Sequence, residues 1–392
     1  MTIKIMKLIA YLFLLFPFLV QAQTTTYSGI VTDLETGKPI EHVSISVYNS
    51  NIATLTNSEG RFKITLANQN KKVNFNHISY ERLDFTFSNQ TQEIKIALKD
   101  ASFDLEEMVL YNRPIKDVIK EVIDNSKAKF SKDIKLNTYY REMMNIDGKV
   151  YSYADGMLDY YFKNKTTSNV VVEQSRSLVF NDDFKNYEQA PIKFYLLDLQ
   201  TIITSAFKFE RIWKIVKNKN YDLYVTGKKA ADGSELKILY FEPSDSNSED
   251  YYKGTLIFDG DKKLILEINI ELSPKHLKNL KEESRIVYKV MFTDISFKQI
   301  FNNVNERYFL AYDTRRIEGD VKMGEHRFSV GGIHELISVN SSITNEKPDT
   351  SKIYFEKTLN VLGKNFKTKF WENQNVILLN SKEEKMLNKI NN

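Results

Sequence analysis

The chain of 392 residues contains no cysteine, so it has no disulfide, no thiolate metal site, no cysteine nucleophile and no lipid-attachment cysteine. Its 55 basic and 51 acidic residues are interspersed and give a formal net charge of +4, which argues against nucleic acid as a partner. The 22 tyrosines and 25 phenylalanines, beside few glycines and prolines, favour extensive β-sheet.

The N-terminal segment has the three-part pattern of a secretory signal peptide. Lys4 and Lys7 are its basic part, residues 8–20 are its apolar part, and small residues follow. The apolar part is shorter than the roughly 20 residues that a membrane-spanning helix needs. We therefore expect cleavage between Ala22 and Gln23. The protein would then lie in the periplasm, at the outer membrane, on the cell surface or outside the cell, and would be peripheral to the membrane rather than integral.

Residues 23–104 alternate between apolar and polar side chains, as strands with one buried face do. Turn sequences rich in Gly, Asn, Ser and Pro separate the alternating runs. Short strands at regular spacing are typical of a β-sandwich. Seven strands fit into this region, at residues 28–32, 43–47, 53–56, 62–66, 72–75, 83–87 and 94–98.

Four sequence segments in this region resemble the carboxypeptidase regulatory-like domain in order and spacing. They are Gly-Ile-Val-Thr-Asp at 29–33, Thr-Gly-Lys-Pro-Ile at 36–40, Val-Ser-Ile at 43–45, and Thr-Leu-Thr-Asn-Ser-Glu-Gly-Arg-Phe at 54–62. The resemblance implies a prealbumin-like, seven-stranded sandwich of the kind common at the N-termini of envelope proteins of Bacteroidota-type bacteria. Ser79 stands where the family has a glycine before its tyrosine, so we expect a different turn there. The resemblance implies no catalytic residue.

The histidines do not form the zinc site of a carboxypeptidase. Such a site needs a His-x-x-Glu pair and a distant second histidine. Glu occupies the third position after none of the five histidines, which are His42, His77, His276, His326 and His334. We therefore expect no peptidase domain, no metal and no cofactor.

Residues 105–113 are expected to link the sandwich to a second domain that spans residues 114–392. This domain opens with a helix at Pro114, a residue that is favoured in the first helical turn. Apolar residues recur along the helix at i, i+3, i+4, i+7 and i+8: Ile115, Val118, Ile119, Val122 and Ile123. Such a stripe either docks a partner or packs on the next sheet, and the general rule favours packing.

From residue 138 onward the pattern predicts mostly strands, with helices near 194–207 and 211–217 and a capping box at Ser381–Glu384 that opens a final helix. Long consecutive strands with one polar face are typical of an antiparallel meander. The predicted fold is therefore mainly β with some α: a seven-stranded β-sandwich, then a larger antiparallel, curved sheet with a few helices. The predicted long strands lie at 139–142, 149–156, 221–226, 236–241, 252–258, 264–272, 285–297, 307–317 and 326–339.

The predicted hairpin 252–272 contains the candidate ligand face. Leu266, Ile268 and Ile270 alternate with polar residues, and on a curved sheet such a face forms a groove that apolar ligands use. The sequence Gly-Thr-Leu-Ile-Phe-Asp at 254–259 resembles the hairpin of periplasmic lipoprotein carriers. That resemblance implies a half-barrel sheet that holds acyl chains.

Three other groups of side chains are candidates for chemistry. Asp155 and Asp159, with Asp147 nearby, either act as paired carboxylates or are solvated residues of a strand face and a turn, and the second reading is favoured. His326 and His334 are about 26 Å apart on an extended strand, too far for one metal ion unless the chain bends sharply at Gly331 and Gly332. Six tyrosines either line a glycan or lipid groove or pack within the sheet: Tyr139, Tyr140, Tyr151, Tyr153, Tyr160 and Tyr161.

The predicted function is that of a non-catalytic, exported envelope protein with a binding or scaffold role. Its expected partner is an envelope protein, a glycan or a lipid. Two alternatives stay open: a periplasmic carrier of a lipid or another apolar ligand, and a hydrolase with a carboxylate site. The sequence has no glycine-rich nucleotide loop and no Gly-x-Ser-x-Gly elbow, so no catalytic residue is assigned.

Processing of the N-terminus tests the predicted export. Mass spectrometry of the native protein should find Gln23, in open or cyclised form, as the first residue, because the signal peptide is removed during export. Protein in the envelope fraction that keeps residues 1–22 would contradict the expected location.

Overall fold

The computed structural model describes residues 24–388 apart from 49, 51, 68–70, 78, 89–92, 102–106, 132, 163–166, 180–197, 230–233, 245–249, 285–287, 305, 344–345 and 362–375. The predicted signal peptide and its cleavage point at Ala22 and Gln23 lie outside the described residues. Two small sheets and one large antiparallel sheet dominate the fold, with a few helices. This confirms the predicted mainly β architecture.

The N-terminal sandwich contains the seven predicted strands in two sheets. One sheet has three strands and the other has four, and their facing side chains enclose a core that includes Val31, Ile45, Phe62 and Phe75. The alternating pattern arises because each strand turns every second side chain into this core. The strands are β1 (Thr24–Asp33), β2 (Ser44–Val47), β3 (Ala53–Leu55), β4 (Arg61–Ala67), β5 (Lys72–Asn76), β6 (Leu83–Thr86) and β7 (Ile94–Leu98), in the orders β4-β1-β7 and β3-β2-β5-β6.

The large sheet contains the remaining twelve strands, and every pairing in it is antiparallel. Its strands are β8 (Glu107–Met108), β9 (Ile134–Ile146), β10 (Lys149–Phe162), β11 (Ser168–Val179), β12 (Tyr221–Lys229), β13 (Glu235–Pro243), β14 (Tyr252–Asp259), β15 (Leu264–Leu272), β16 (Glu283–Ser284), β17 (Lys289–Val304), β18 (Arg307–Met323) and β19 (His326–Ile343). Their order is β11-β10-β9-β19-β18-β17-β15-β14-β13-β12-β8, and β16 pairs with β17 beside this path. Strand β8 comes from the segment expected to be a linker.

The described helices are few and short. They are α1 (Ile115–Lys129), α2 (Ile202–Ala206), α3 (Glu210–Lys217) and α4 (Ser381–Asn388), together with 3₁₀ turns at Pro274–Asn279, Thr350–Lys352 and Leu359–Val361. Within the described ranges, none of the helices combines the length and the apolar character that crossing a membrane requires.

Other elements pack on both faces of the large sheet around β9 and β10. The helix face, which includes Leu136 and Tyr140, packs with α1, α2 and α3. The sandwich face, which includes Tyr139 and Tyr312, packs with the sandwich and with part of the C-terminal segment. Because both faces of β10 are covered, Ser152–Tyr160 is buried without interruption instead of alternating between buried and exposed positions.

The apolar stripe of α1 packs on the sheet, as the general rule favours. Val118, Ile119, Val122 and Ile123 are buried, so they are not available to dock a partner. Ser126 extends the contact: its Oγ donates to the carbonyl oxygen of Val122 and accepts the backbone N–H of Ile265 in β15.

The final helix begins one residue earlier than the predicted capping box implies. Asn380 is the capping residue: its Oδ1 accepts the N–H of Glu383 at 3.0 Å, and the Glu383 carboxylate accepts the N–H of Asn380 at 2.9 Å. Ser381, the predicted cap, instead binds Glu59 of the sandwich through its N–H and its hydroxyl group. A distant contact therefore takes the serine away from the local role that its sequence suggests.

The close approach of β14 and β15 gives a test of the hairpin. A Cβ atom on Gly254 would lie 1.9 Å from the carbonyl oxygen of Asn269, so Gly254→Ala should lower the free energy of unfolding by about 1–3 kcal/mol. Gly331→Ala is the matched control, because its nearest neighbour would be 3.5 Å away, an ordinary contact. Urea unfolding of both variants measures the difference. Equal stability of the two would contradict the described strand spacing.

Candidate ligand-binding site

A cavity of about 700 Å³ lies between the helix face of the large sheet and the helices α2 and α3; we call it the helix-face cavity. Its sheet wall includes Ile268 and Ile270 of β15 and Phe297 of β17. Strand register brings these side chains together, since Ile270 pairs with Phe297. Its helix wall includes Ile212 and Ile215. The volume lies within the roughly 300–1,000 Å³ typical of small-molecule sites.

Local sequence places α3 over the sheet. Phe209 has a left-handed backbone with φ of 51° and ends the chain reversal from α2. After it, Ile212, Ile215 and Val216 recur at helical spacing and are buried against the sheet. Arg211 stands four residues before Ile215 and so shares its side of the helix.

Two arginines stand over one aromatic ring in this cavity. The guanidinium carbon of Arg211 lies 3.8 Å from the ring centroid of Phe297, and that of Arg315 lies 4.5 Å from the same centroid. Arg315 reaches the ring because it pairs with Phe297 across β17 and β18. Burial and the positive charge of Arg211 lower the pKa of Arg315 to about 10, which leaves Arg315 cationic at neutral pH.

Polar groups beside the arginines are arranged around Asp313. Its two carboxylate oxygens accept hydrogen bonds from Nε2 of Gln299 at 2.7 Å and from Nε2 of His334 at 2.9 Å. The imidazole hydrogen must therefore lie on Nε2, since the carboxylate can only accept. The cavity thus combines apolar walls with a few fixed polar groups, a combination that suits ligand binding.

The predicted ligand face is divided between two cavities. Ile268 and Ile270 line the helix-face cavity, whereas Leu266 lines a second cavity on the sandwich face. The reason is a β-bulge: Ile257 pairs with Glu267 and the next residue, Phe258, pairs with Ile265, so Leu266 falls outside the regular alternation. The assumption of one uninterrupted alternation was wrong at this residue.

The second cavity, of about 610 Å³, lies between the sandwich and the large sheet; we call it the cleft. Hydroxyl and amide groups from β2 and β5, such as Ser44 and Asn74, form its sandwich wall, while Leu266 and Ile300 form part of its sheet wall. A wall of this kind offers many donors and acceptors to water or to a polar ligand.

A buried ionic network adjoins the cleft. Arg141 forms an ion pair with Glu335 inside the large sheet and donates to Glu383 of α4 at 3.3 Å. Tyr312 donates its hydroxyl hydrogen to Glu335 at 2.8 Å and lies 2.9 Å from Nε2 of His42 in the sandwich. Because the tyrosine hydrogen is used, His42 must donate from Nε2. Burial lowers the pKa of His42 to about 3.

The acidic candidates are structural and mostly buried. Asp155 has no exposed surface and accepts hydrogen bonds from Arg176, Tyr139 and Tyr153 at 2.6–2.9 Å. Asp159 is buried beside Lys135. The favoured interpretation as solvated side chains was therefore wrong for both, because pairing of β9, β10 and β11 supplies their partners.

The remaining candidates also have local roles. Asp147 is exposed in a turn, where its carboxylate accepts the backbone N–H of Ser329 at 2.8 Å. His326 is exposed, whereas His334 is buried and donates its hydrogen bond to Asp313. Four of the six tyrosines are buried in the sheet, which agrees with ordinary packing: Tyr139, Tyr140, Tyr153 and Tyr160. Across the described ranges, no three His, Asp or Glu side chains form a group that could hold a metal ion.

Residues 27–110 match the family model of the CarboxypepD_reg-like domain. The match confirms the resemblance found in the sequence for the N-terminal part of the chain. It covers about a fifth of the chain, so it describes the sandwich and not the large sheet. No curated protein matched the sequence.

Several solved structures are similar to the chain at low identity. A DUF1329 family protein from Desulfovibrio piger is 13% identical with a TM-score of 0.24, over 62% of this chain and 100% of that one. A LolA superfamily protein from Nitrosomonas europaea is 10% identical with a TM-score of 0.22, over 60% of this chain and 97% of that one. The MucA/MucB complex of Pseudomonas aeruginosa is 10% identical with a TM-score of 0.21, over 59% of this chain and 99% of that one. TM-scores of this size carry no information on the ligand.

The buried His42 gives a test of the contact between sandwich and sheet. Its pKa is about 3 in the folded protein and near 6.5 when unfolded, so between these values only the unfolded chain binds the proton. Stability should therefore fall on acidification from pH 6 to pH 4, with His42 contributing about 1.4 kcal/mol per pH unit. In His42→Gln this contribution to the dependence of the unfolding free energy on pH should disappear. Urea unfolding at several pH values measures it.

The exposed His326 supplies the control for that experiment. His326→Gln removes one histidine without touching the contact between the sandwich and the sheet. An unchanged slope in His42→Gln would show that the imidazole is accessible to protons in the folded state, contrary to the described burial.

Proposed function

We propose that the chain is a non-catalytic binding protein of the bacterial cell envelope, and that its large sheet carries an apolar ligand in the helix-face cavity. The observation that supports this most directly is the cavity itself, which has Ile268, Ile270 and Phe297 on one wall and Ile212 and Ile215 on the other. Removing an acyl chain from water into such a space is favourable by about 25 cal/mol per Å² of apolar surface.

The envelope location is supported by the signal-peptide pattern that ends at Ala22 and by the N-terminal sandwich, whose family resemblance implies surface and outer-membrane proteins. The contact with the membrane is proposed to be peripheral. The proposed ligand is a lipid or a similar apolar molecule held by the protein.

The non-catalytic role is supported by the state of the candidate carboxylates. Asp155 is held by three neighbouring side chains and Asp159 by Lys135, and neither lines the helix-face cavity or the cleft. A general acid or base must reach the proton that it transfers. These carboxylates serve the pairing of strands instead.

Occlusion of the cavity tests the proposed binding. The purified protein should bind a fluorescent fatty-acid analogue at micromolar concentrations. Ser205→Trp should weaken this binding about tenfold or more, because Ser205 lines the cavity and is exposed on α2, so a larger side chain fills the space without disturbing the core. Fluorescence titration measures both.

Lys217→Trp is the matched control, since Lys217 is exposed on α3 and does not line the helix-face cavity. It should bind the probe as the unmodified protein does. Melting curves of both variants separate a blocked cavity from a lost fold. A well-folded protein that does not bind the probe would refute the carrier proposal.

A further inference from the structure

The two arginines of the helix-face cavity form an unusual electrostatic arrangement. Arg211 comes from a helix and Arg315 from the sheet, yet both guanidinium groups contact the ring of Phe297. Each gains a cation–π contact with the ring, worth about 0.5–2 kcal/mol. Their mutual repulsion opposes this gain: the pKa of Arg315 is lowered first by burial and then by the positive charge of Arg211.

Among the residues that the structure describes, neither guanidinium group donates a hydrogen bond or forms an ion pair. The acidic side chains that line the same cavity are Asp313, Asp250 and Glu210. Asp313 is held by Gln299 and His334, Asp250 accepts from Asn218 at 2.9 Å, and Glu210 is exposed. The forked donors of both arginines are therefore free to bind a ligand.

Donors of this geometry match the oxygens of carboxylate and phosphate groups. Ile270 pairs with Phe297 in the strand register, so the apolar wall of the cavity begins beside the ring that the two arginines contact. We propose that the helix-face cavity selects single-chain amphiphiles with an anionic head group, whose oxygens bind Arg211 and Arg315 while the acyl chain lies along Ile268 and Ile270. This inference rests on the proposed function and names its ligand class.

Three ligands of equal chain length test the selection by isothermal titration calorimetry: decanoate, decyl phosphate and decan-1-ol. The two anionic ligands should bind about tenfold or more tightly than the alcohol, because only they pair with the arginines. In the double variant Arg211→Gln, Arg315→Gln the three affinities should converge, with the affinity for decan-1-ol kept within about twofold.

Arg316→Gln is the matched control for the sheet arginine. Arg316 neighbours Arg315 on β18 but is exposed and lies 3.7 Å from Glu318, so its loss should leave the selection intact. Arg211→Gln alone, on the outer helix, keeps the test decisive if the double variant does not fold. It should reduce the preference for the anionic ligands by about threefold or more.

The outcomes separate this inference from the proposed function. Equal binding of all three ligands by the unmodified protein would overturn the anionic selection and leave the apolar binding site standing. Binding of none would overturn both. Inorganic phosphate that binds as tightly as decyl phosphate would show a site for a free anion and would also overturn the inference.

Discussion

The buried guanidinium group of Arg141 is the interaction on which the assembly of the chain depends. A buried charge is costly unless it is paired, and breaking such a pair leaves an uncompensated charge inside the protein. Arg141 is paired with Glu335 of the neighbouring strand and with Glu383 of α4. Glu335 in turn accepts a hydrogen bond from the hydroxyl group of Tyr312. Although burial opposes both charges, each partner stabilises the other: the pKa of Arg141 is raised and that of Glu335 is lowered.

This network fixes the sandwich, the sheet and the C-terminal helix against one another. Tyr312 connects the ion pair to His42 of the sandwich, and Arg61 of the sandwich contacts Glu384 beside Glu383. Part of one face of the sheet thereby holds the sandwich. The opposite face, with its short helices, encloses the helix-face cavity, so the contact with the sandwich and the proposed binding site lie on different sides of the same strands.

Much of this fold could be predicted because it depends on local patterns. Alternation located all seven strands of the sandwich, and helical spacing located α1. The two-sided burial of Ser152–Tyr160 and the bulge at Leu266 could not be predicted, since both depend on which strands become neighbours. Arg211 and Arg315 were missed for the same reason. The available signal was an arginine on the apolar side of α3, four residues before Ile215.

The topology of the large sheet also has a consequence for the order of folding. Strand β9 pairs with β19, so Ile134 meets Ile343, and the bonds between Ser381 and Glu59 join residues 322 positions apart. Contacts between distant residues form slowly, because the intervening chain must first be ordered. During synthesis the sandwich can therefore fold early from its own strands, while the large sheet is completed only after β19, its last long strand, has been made. Until β19 has been made, the edge of β9 with which it pairs is exposed, and an exposed strand edge of this kind favours aggregation.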